Sequence, residues 1–433
     1  MQQSFNFIAI AHVVRHVCYC VVLMLVVISP ALFASPLTLD KAIVLGQKAD
    51  FQAQMIEKRL EAQKAKTIYA GTLPDPKLQV GLINLPTDNF DFDQDDMTQA
   101  KIGFSQQFPP GKTLELRQHV SELGTQQLSI VYQLRALQTK KEIADIWFEL
   151  TFLDGQTLLL TRYQQVLQRL KSVVESSYTV GRSKQYDLIQ LDLMNDEISN
   201  RLMATAQEKQ QAISQLALWL GQQAYGTLAL SFPERSFVKA IDQSWDAVQQ
   251  QMAMHPEAQV KKLQIDEAIA NLKIVEESYK PEWGLDMSYG YREDGGHGVD
   301  RSDFFSVMAS VSLPIRSSNV QNQQVVAKLA NKNVAQFGWQ DVLQSLAARL
   351  TNVSTQAELL QKRRQAYQQK LIPQAEQQAE AALSAYKASA ADFADVVDAE
   401  LKFIDVHIDS IRIDMDFNKA LNELNYLSVQ KDN

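Results

Sequence analysis

Trp283-Gly284-Leu285-Asp286-Met287-Ser288-Tyr289-Gly290-Tyr291 alternates large apolar side chains with glycine, aspartate and serine. A period of two belongs to a β-strand with one greasy face and one small or polar face. Beyond a polar loop the pattern resumes, with Phe305, Val307, Ala309, Val311 and Leu313 alternating with mostly small polar residues. An earlier pair has the same character. Residues 77 to 85 are strand-like, and Ala100, Ile102, Phe104 and Phe108 alternate with Gln99, Lys101, Gly103, Ser105 and Gln107. Strands of about ten residues patterned this way fit a membrane barrel with a wet interior. A soluble sheet with one buried face has the same period, so the strands alone leave both readings open.

Working outward, the chain repeats itself. Pro76 and Pro281, which open the two hairpins, are 205 positions apart, as are Pro109 and Pro314, which close them. The hairpin loops, residues 89–96 and 292–297, are polar and read as solvated surface. Farther on, Tyr178-Thr179-Val180-Gly181-Arg182-Ser183 matches Tyr386-Lys387-Ala388-Ser389-Ala390-Ala391 at an offset of 208, and Asp187 matches Asp395 at the same offset. Each of these breaks joins two long helices. Gly181 supplies the positive φ that a tight turn favours, whereas Ser389 reaches its turn without that freedom. The proline-free stretch from Lys112 to Ser177 predicts a helix about 99 Å long, at about 1.5 Å per residue. Leu160, Tyr163, Leu167, Leu170 and Val174 recur at steps of three and four, as do Leu401, Ile404, Ile408, Ile411 and Met415. These stripes predict coiled-coil seams. Pro373 should end or kink the helix that contains it.

The 433 residues carry 46% hydrophobic and 21% charged side chains, with a net charge of -8, so a disordered chain and a nucleic-acid binder are both poor fits. Residues 1–34 read as an export signal: Arg15, an apolar run from Val17 to Ile28, and Ala31-Leu32-Phe33-Ala34, with cleavage between Ala34 and Ser35. The only two cysteines, Cys18 and Cys20, fall within it and do not read as lipid sites. No later run is long enough for a spanning helix, which leaves a barrel as the only way across lipid. The expected organisation is a first repeat over 35–221, a connection over 222–232 and a second repeat over 233–433. An enzyme would show a nucleophile with its base, a metal cluster or a phosphate loop. His119, His255, His297 and His407 are scattered, and no metal site or cofactor is assigned.

Five segments in this order, Leu37-Thr38-Leu39-Asp40-Lys41-Ala42, Leu73-Pro74-Asp75-Pro76, Phe108-Pro109-Pro110-Gly111-Lys112 and the two Tyr-x-x-(Gly or Ser) tips, resemble the TolC family of outer-membrane efflux proteins. The resemblance covers essentially the whole mature chain. It implies a mainly α fold with membrane β-strands, in which a homotrimer gives four strands per chain to one twelve-stranded transmembrane β-barrel, continued by a periplasmic tunnel of long helical hairpins. It implies a passive exit duct for small solutes in the outer membrane, served by a periplasmic adaptor and an inner-membrane resistance-nodulation-division (RND) pump. The Leu-Pro-Asp-Pro and Phe-Pro-Pro-Gly-Lys segments point within the family toward heavy-metal efflux. The alternatives are the duct of a type I protein secretion system and, in another class, a periplasmic helical adaptor.

The resemblance also names residues. Asp395 and Asp398, three apart on one helix face, stand where family members keep an acidic pair facing the tunnel axis. Threefold symmetry would turn them into rings that concentrate cations. Asp187 is the first-half counterpart, weaker because Gln190 takes the second position, and Asp392, nearer the turn, is the capping candidate. Tyr178, Gly181, Arg182 and Ser183, with Tyr386, Ser389 and Ala390, are the tips expected to meet the adaptor.

Overall fold

The structure, a computed structural model, describes residues 36–181, 183–235, 244–295, 298–315 and 319–428. The expected export signal, the pair Ala34 and Ser35, and Arg182 lie outside the described residues.

Helices α1 (Leu39–Ala49) and α2 (Phe51–Ala70) lead to strand β1 (Lys77–Ile83), β2 (Gln99–Phe108) returns, and α3 (Thr113–Thr179) then runs for 67 residues. That is about 100 Å of helix at about 1.5 Å per residue. Helix α4 (Gln185–Leu220) folds back along it. The second half follows the same order: α5 (Trp245–Met252), α6 (Pro256–Glu277), β3 (Glu282–Tyr291), β4 (Phe304–Ser312), α7 (Gln321–Ala366), α8 (Ile372–Lys387) and α9 (Phe393–Ser428). Between α7 and α8 a π-helical turn, Tyr367–Leu371, directly precedes Pro373, which sits in the first turn of α8 where its missing N–H is not needed. The helical rod therefore passes the proline by widening one turn instead of stopping.

Each half opens with a helix break held by a buried cap. Asp50 Oδ1 accepts from the N–H groups of Gln52 and Ala53 to start α2, and its Oδ2 accepts from Arg135 Nε at 2.6 Å and Thr139 Oγ1 at 2.8 Å on α3. Burial alone would raise this carboxyl, but the hydrogen bonds from Arg135, Thr139 and Ala53 outweigh it and hold the group below its ordinary range. His255, 205 positions on, starts α6: Nδ1 accepts from Glu257 N at 3.3 Å, which leaves Nε2 to donate to Tyr426 O at 3.2 Å.

The core lies where α1, α3, α4 and α9 meet, around Ile143, Trp147, Phe148 and Leu153. Gly46 lets α1 approach closely, since a Cβ there would stand 2.2 Å from Ile143 Cδ1. Toward the far end of α3, all five expected seam residues from Leu160 to Val174 are buried, with Leu191, Met194 and Ile198 buried on α4. Helix α9 packs antiparallel on α3: Ile411 lies over Gly155, Lys419 pairs with Glu149, and Asn422 Nδ2 donates to Asp145 at 2.8 Å. The link between the halves is a 3₁₀ turn, Gly221–Tyr225, followed by a parallel bridge in which Leu37 N donates to Thr227 O at 2.9 Å and Ala229 N to Leu37 O at 2.8 Å.

Candidate functional site

At one end of the helices the two hairpins join through β2 and β3 into one antiparallel sheet in the order β1-β2-β3-β4. The register stacks Val80, Ile102, Tyr289 and Phe305 across the four strands, and beside them Leu78, Phe104, Met287 and Val307. The same face continues through Phe108, Trp283 and Val311. The alternation read from the sequence is thus carried coherently across both repeats. The face is bare: Val80 is 76% exposed, Phe305 70% and Val307 59%. The opposite face presents mainly Gln79, Lys101, Ser105, Asp286, Ser288 and Ser306, with Gly81, Gly103, Gly284 and Gly290 between, although Ile83, Phe304 and Met308 also lie on it.

A sheet whose greasy face meets nothing, and whose polar face is lined with small residues, is inverted relative to a soluble sheet, which turns its apolar side to a core. Aromatic side chains mark both ends of the apolar band, Phe108 and Trp283 at one and Tyr289, Tyr291 and Phe305 at the other. The nine residues from Trp283 to Tyr291 are what a tilted spanning strand needs. Among the described residues no helix is long and apolar enough to cross a membrane. Beyond the band the two loops are stapled together. Arg301 donates to Asp96 Oδ1 at 2.5 Å and to Asp93 O at 3.0 Å, and Arg292 donates to Asp96 O at 2.9 Å while lying 3.9 Å over the Phe304 ring.

The helix tips lie at the opposite end. Both turns have the same geometry: Gly181 N donates to Tyr178 O at 3.0 Å, and Ser389 N to Tyr386 O at 2.9 Å. Gly181 has φ +75°, and Ser389 adopts φ +57°. The serine therefore enters the left-handed region that glycine occupies more cheaply. After each turn an aspartate reaches back to the helix start, Asp187 Oδ2 accepting from Lys184 N at 2.9 Å and Asp395 Oδ2 from Asp392 N at 3.2 Å. The capping expected of Asp392 is done by the Asp395 side chain, with the Asp392 backbone as donor. Asp395 and Asp398 are exposed, whereas Asp187 is 8% exposed, in the cleft between the two tips.

The two tips touch. Ser183 Oγ and Tyr386 Oη are 2.7 Å apart, and Tyr386 packs edge-on to Phe393 with ring centroids 5.3 Å apart. A cleft of about 280 Å³ lies between them, lined among others by Ser177, Lys184, Asp187, Lys387 and Asp392. Tyr178 remains 46% exposed, and Gly181, Ser389 and Ala390 are also at the surface. Higher up, Arg201 Nη1 on α4 reaches Asp405 Oδ1 on α9 at 2.8 Å. The Ser183–Tyr386 and Arg201–Asp405 contacts were not legible in the sequence, because each joins residues more than 200 positions apart. The repeat offset, which sets the hairpins in matching registers, is their only trace.

No family model and no curated sequence matches the chain. Solved structures do. A membrane protein from Pseudomonas aeruginosa is similar at 11% identity, covering 90% of this chain and 93% of that one, with a TM-score of 0.76. The outer membrane protein VceC of Vibrio cholerae shares 16% identity over 90% of this chain and 95% of its own, with a TM-score of 0.75. The outer membrane channel CmeC of Campylobacter jejuni shares 12% identity over 90% and 85%, also with a TM-score of 0.75. At these identities the likeness is one of architecture, and the fold of this chain is the fold of those membrane proteins.

Proposed function

We propose that this chain is the outer-membrane duct of a tripartite efflux system, a passive exit for small solutes. The observation that carries this reading is the four-stranded sheet, with a bare apolar face and, among the described residues, no strand paired to the outer edges of β1 and β4, at the end of long helices of which α3 reaches about 100 Å. Unpaired strand edges are not tolerated in lipid, and bacterial spanning barrels begin at about eight strands. One copy is therefore incomplete. Three copies would close twelve strands, as the sequence resemblance implies, with small and polar side chains lining the lumen. The hairpins would then continue the barrel as a tube through the periplasm.

Nothing in such a duct supplies energy, so an inner-membrane RND pump would drive the solute and a periplasmic adaptor would dock at the tips, in the cleft beside Tyr386 and around Gly181 and Ser389. Three copies of Asp395 and Asp398 would set an acidic constriction that favours cations. Asp187, being buried, would add little to it. Heavy-metal cations are the narrower reading of the cargo, supported by the sequence resemblance and by these acids. Among the described residues no group of three or more His, Cys, Asp or Glu side chains could hold a metal ion. The duct would pass cations by field and not by ligation.

Reconstitution of the mature protein in liposomes tests the reading. The protein should sediment in detergent as three chains and release small trapped cations faster than anions of similar size. Release that stays equal for both in wild type and in the Asp395→Asn, Asp398→Asn double variant would remove the constriction. Absence of any release from a folded trimer would remove the duct.

A further inference from the structure

On α9 the face turned to α3 carries Val397, Glu400, Ile404, Ile408, Ile411 and Met415, spaced by three and four. Five of the six are apolar, and the stripe is placed against α3 by the contact of Ile411 with Gly155. Glu400 is the exception: a half-buried carboxylate in the seam that joins the two hairpins. Among the described residues no hydrogen bond or ion pair reaches it.

The first hairpin holds an acid at the matching position, on its exposed surface. Asp192, the residue 208 positions earlier, is paired with Lys171 at 2.6 Å. The position equivalent to Lys171 in the second hairpin is Ala379, buried at 7% exposure. The repeat has kept the acid and lost its counter-ion. The surrounding groups do not replace it. From α3, Tyr163 directs its hydroxyl to Met194 Sδ at 3.9 Å, and burial first, then the charges of Glu400 and Asp405, disfavour its ionisation; from α4, Arg201 is engaged by Asp405; on α8, Glu376 acts on His407.

We infer that Glu400 is a charge-operated wedge: protonated, it lets α9 lie against α3 and the tips stay together; ionised, it draws water into the seam and favours parting of the hairpins. A carboxylate in an apolar seam without a partner resists ionisation, and burial does push this carboxyl above its ordinary range. The sign follows. A raised value means that the closed seam has its full stability below the ordinary glutamate pKa and loses it as pH rises through the raised value. The inference deepens the duct reading and rests on it for its consequence, a tube that opens as pH rises, but not for the motion itself.

Two measurements separate the two. Sequence after residue 20 is free of cysteine, so spin labels at Tyr178→Cys and Lys387→Cys report tip separation cleanly. Between about pH 4.5 and about pH 7.5 the tip distances in reconstituted protein should lengthen, and in Glu400→Gln and Glu400→Leu they should not. Lengthening that persists in both variants, or that is absent from the parent, overturns the wedge whether or not the protein conducts. Where it conducts, single-channel conductance in the Asp395→Asn, Asp398→Asn background should rise with pH and lose that rise with Glu400→Gln. A rise unchanged by Glu400→Gln contradicts the wedge, while absence of any channel contradicts the duct alone.

Discussion

Asp50 and His255 do one job with opposite chemistry. Both are buried N-caps at equivalent points of the two repeats, and both fasten a short helix to a long one. Asp50 does it as an anion, gripped by Arg135 and Thr139. His255 does it as a neutral ring between Glu257 N and Tyr426 O, and burial pushes its pKa down. The tips show the same contrast, with Gly181 and Ser389 in one turn conformation, and so does the position 208 apart that holds an exposed, paired Asp192 in one hairpin and a half-buried, unpaired Glu400 in the other. The lesson is that the duplicated backbone tolerates a change of chemistry wherever geometry and burial are preserved, and that the second half carries the costlier choices. Each of these pairs can be broken separately.

The largest effects should fall on the sheet, where the halves are most alike. Ile102→Arg and Val307→Arg, at equivalent positions 205 apart, should each cost about 2–4 kcal/mol of stability in lipid vesicles. Denaturant titration of the reconstituted protein measures this. A cost for only one of them would mean that only one repeat faces lipid. Next come the caps. Asp50→Asn keeps a capping oxygen but leaves Arg135 without its anion and should cost about 3 kcal/mol, whereas His255→Asn, which also caps, should cost about 1 kcal/mol.

Their pH dependence should differ as well. His255 has a depressed value, so its contribution is present above the unfolded histidine pKa and declines as pH falls below about 6.5. Asp50 is also depressed, and its contribution holds until pH falls below about 4. Thermal melts should therefore weaken between these values in the parent and not in His255→Asn. Equal slopes would show that the histidine joint does not titrate in that range. The smallest effects belong to the tips. Ser389→Gly should stabilise its turn by up to about 1 kcal/mol, while Gly181→Ser should cost about as much.

Much of this architecture stands in the sequence because it is periodic. The period of two over Trp283 to Tyr291, the seam from Leu160 to Val174 and the offsets of 205 and 208 each reflect a geometric requirement repeated over many residues, so single substitutions do not hide them. What the sequence conceals depends on single contacts. That Ser183 meets Tyr386 depends on how two hairpins far apart in the chain lie together. That Ser389 takes a positive φ depends on its turn being the twin of one built with glycine. His255 looked like one scattered histidine among four, although its offset from Asp50 was available as a signal. Glu400 is hidden because the apolar stripe also runs through its neighbour Leu401. Spacing puts 397, 400 and 404 on one helix face, but that this face is the one packed on α3 follows only from the partner helix.

The central claim is that the bare apolar face of the sheet belongs in lipid and the polar face around water. The most direct measurement is single-channel conductance of the purified mature protein in a planar bilayer, recorded in asymmetric salt to obtain ion selectivity. A steady, low-conductance pore that prefers cations, with the preference reduced in the Asp395→Asn, Asp398→Asn variant, is the predicted result. A folded, trimeric preparation that inserts no pore would contradict it, whereas a pore indifferent to the sign of the ion and to both aspartates would remove the acidic constriction alone.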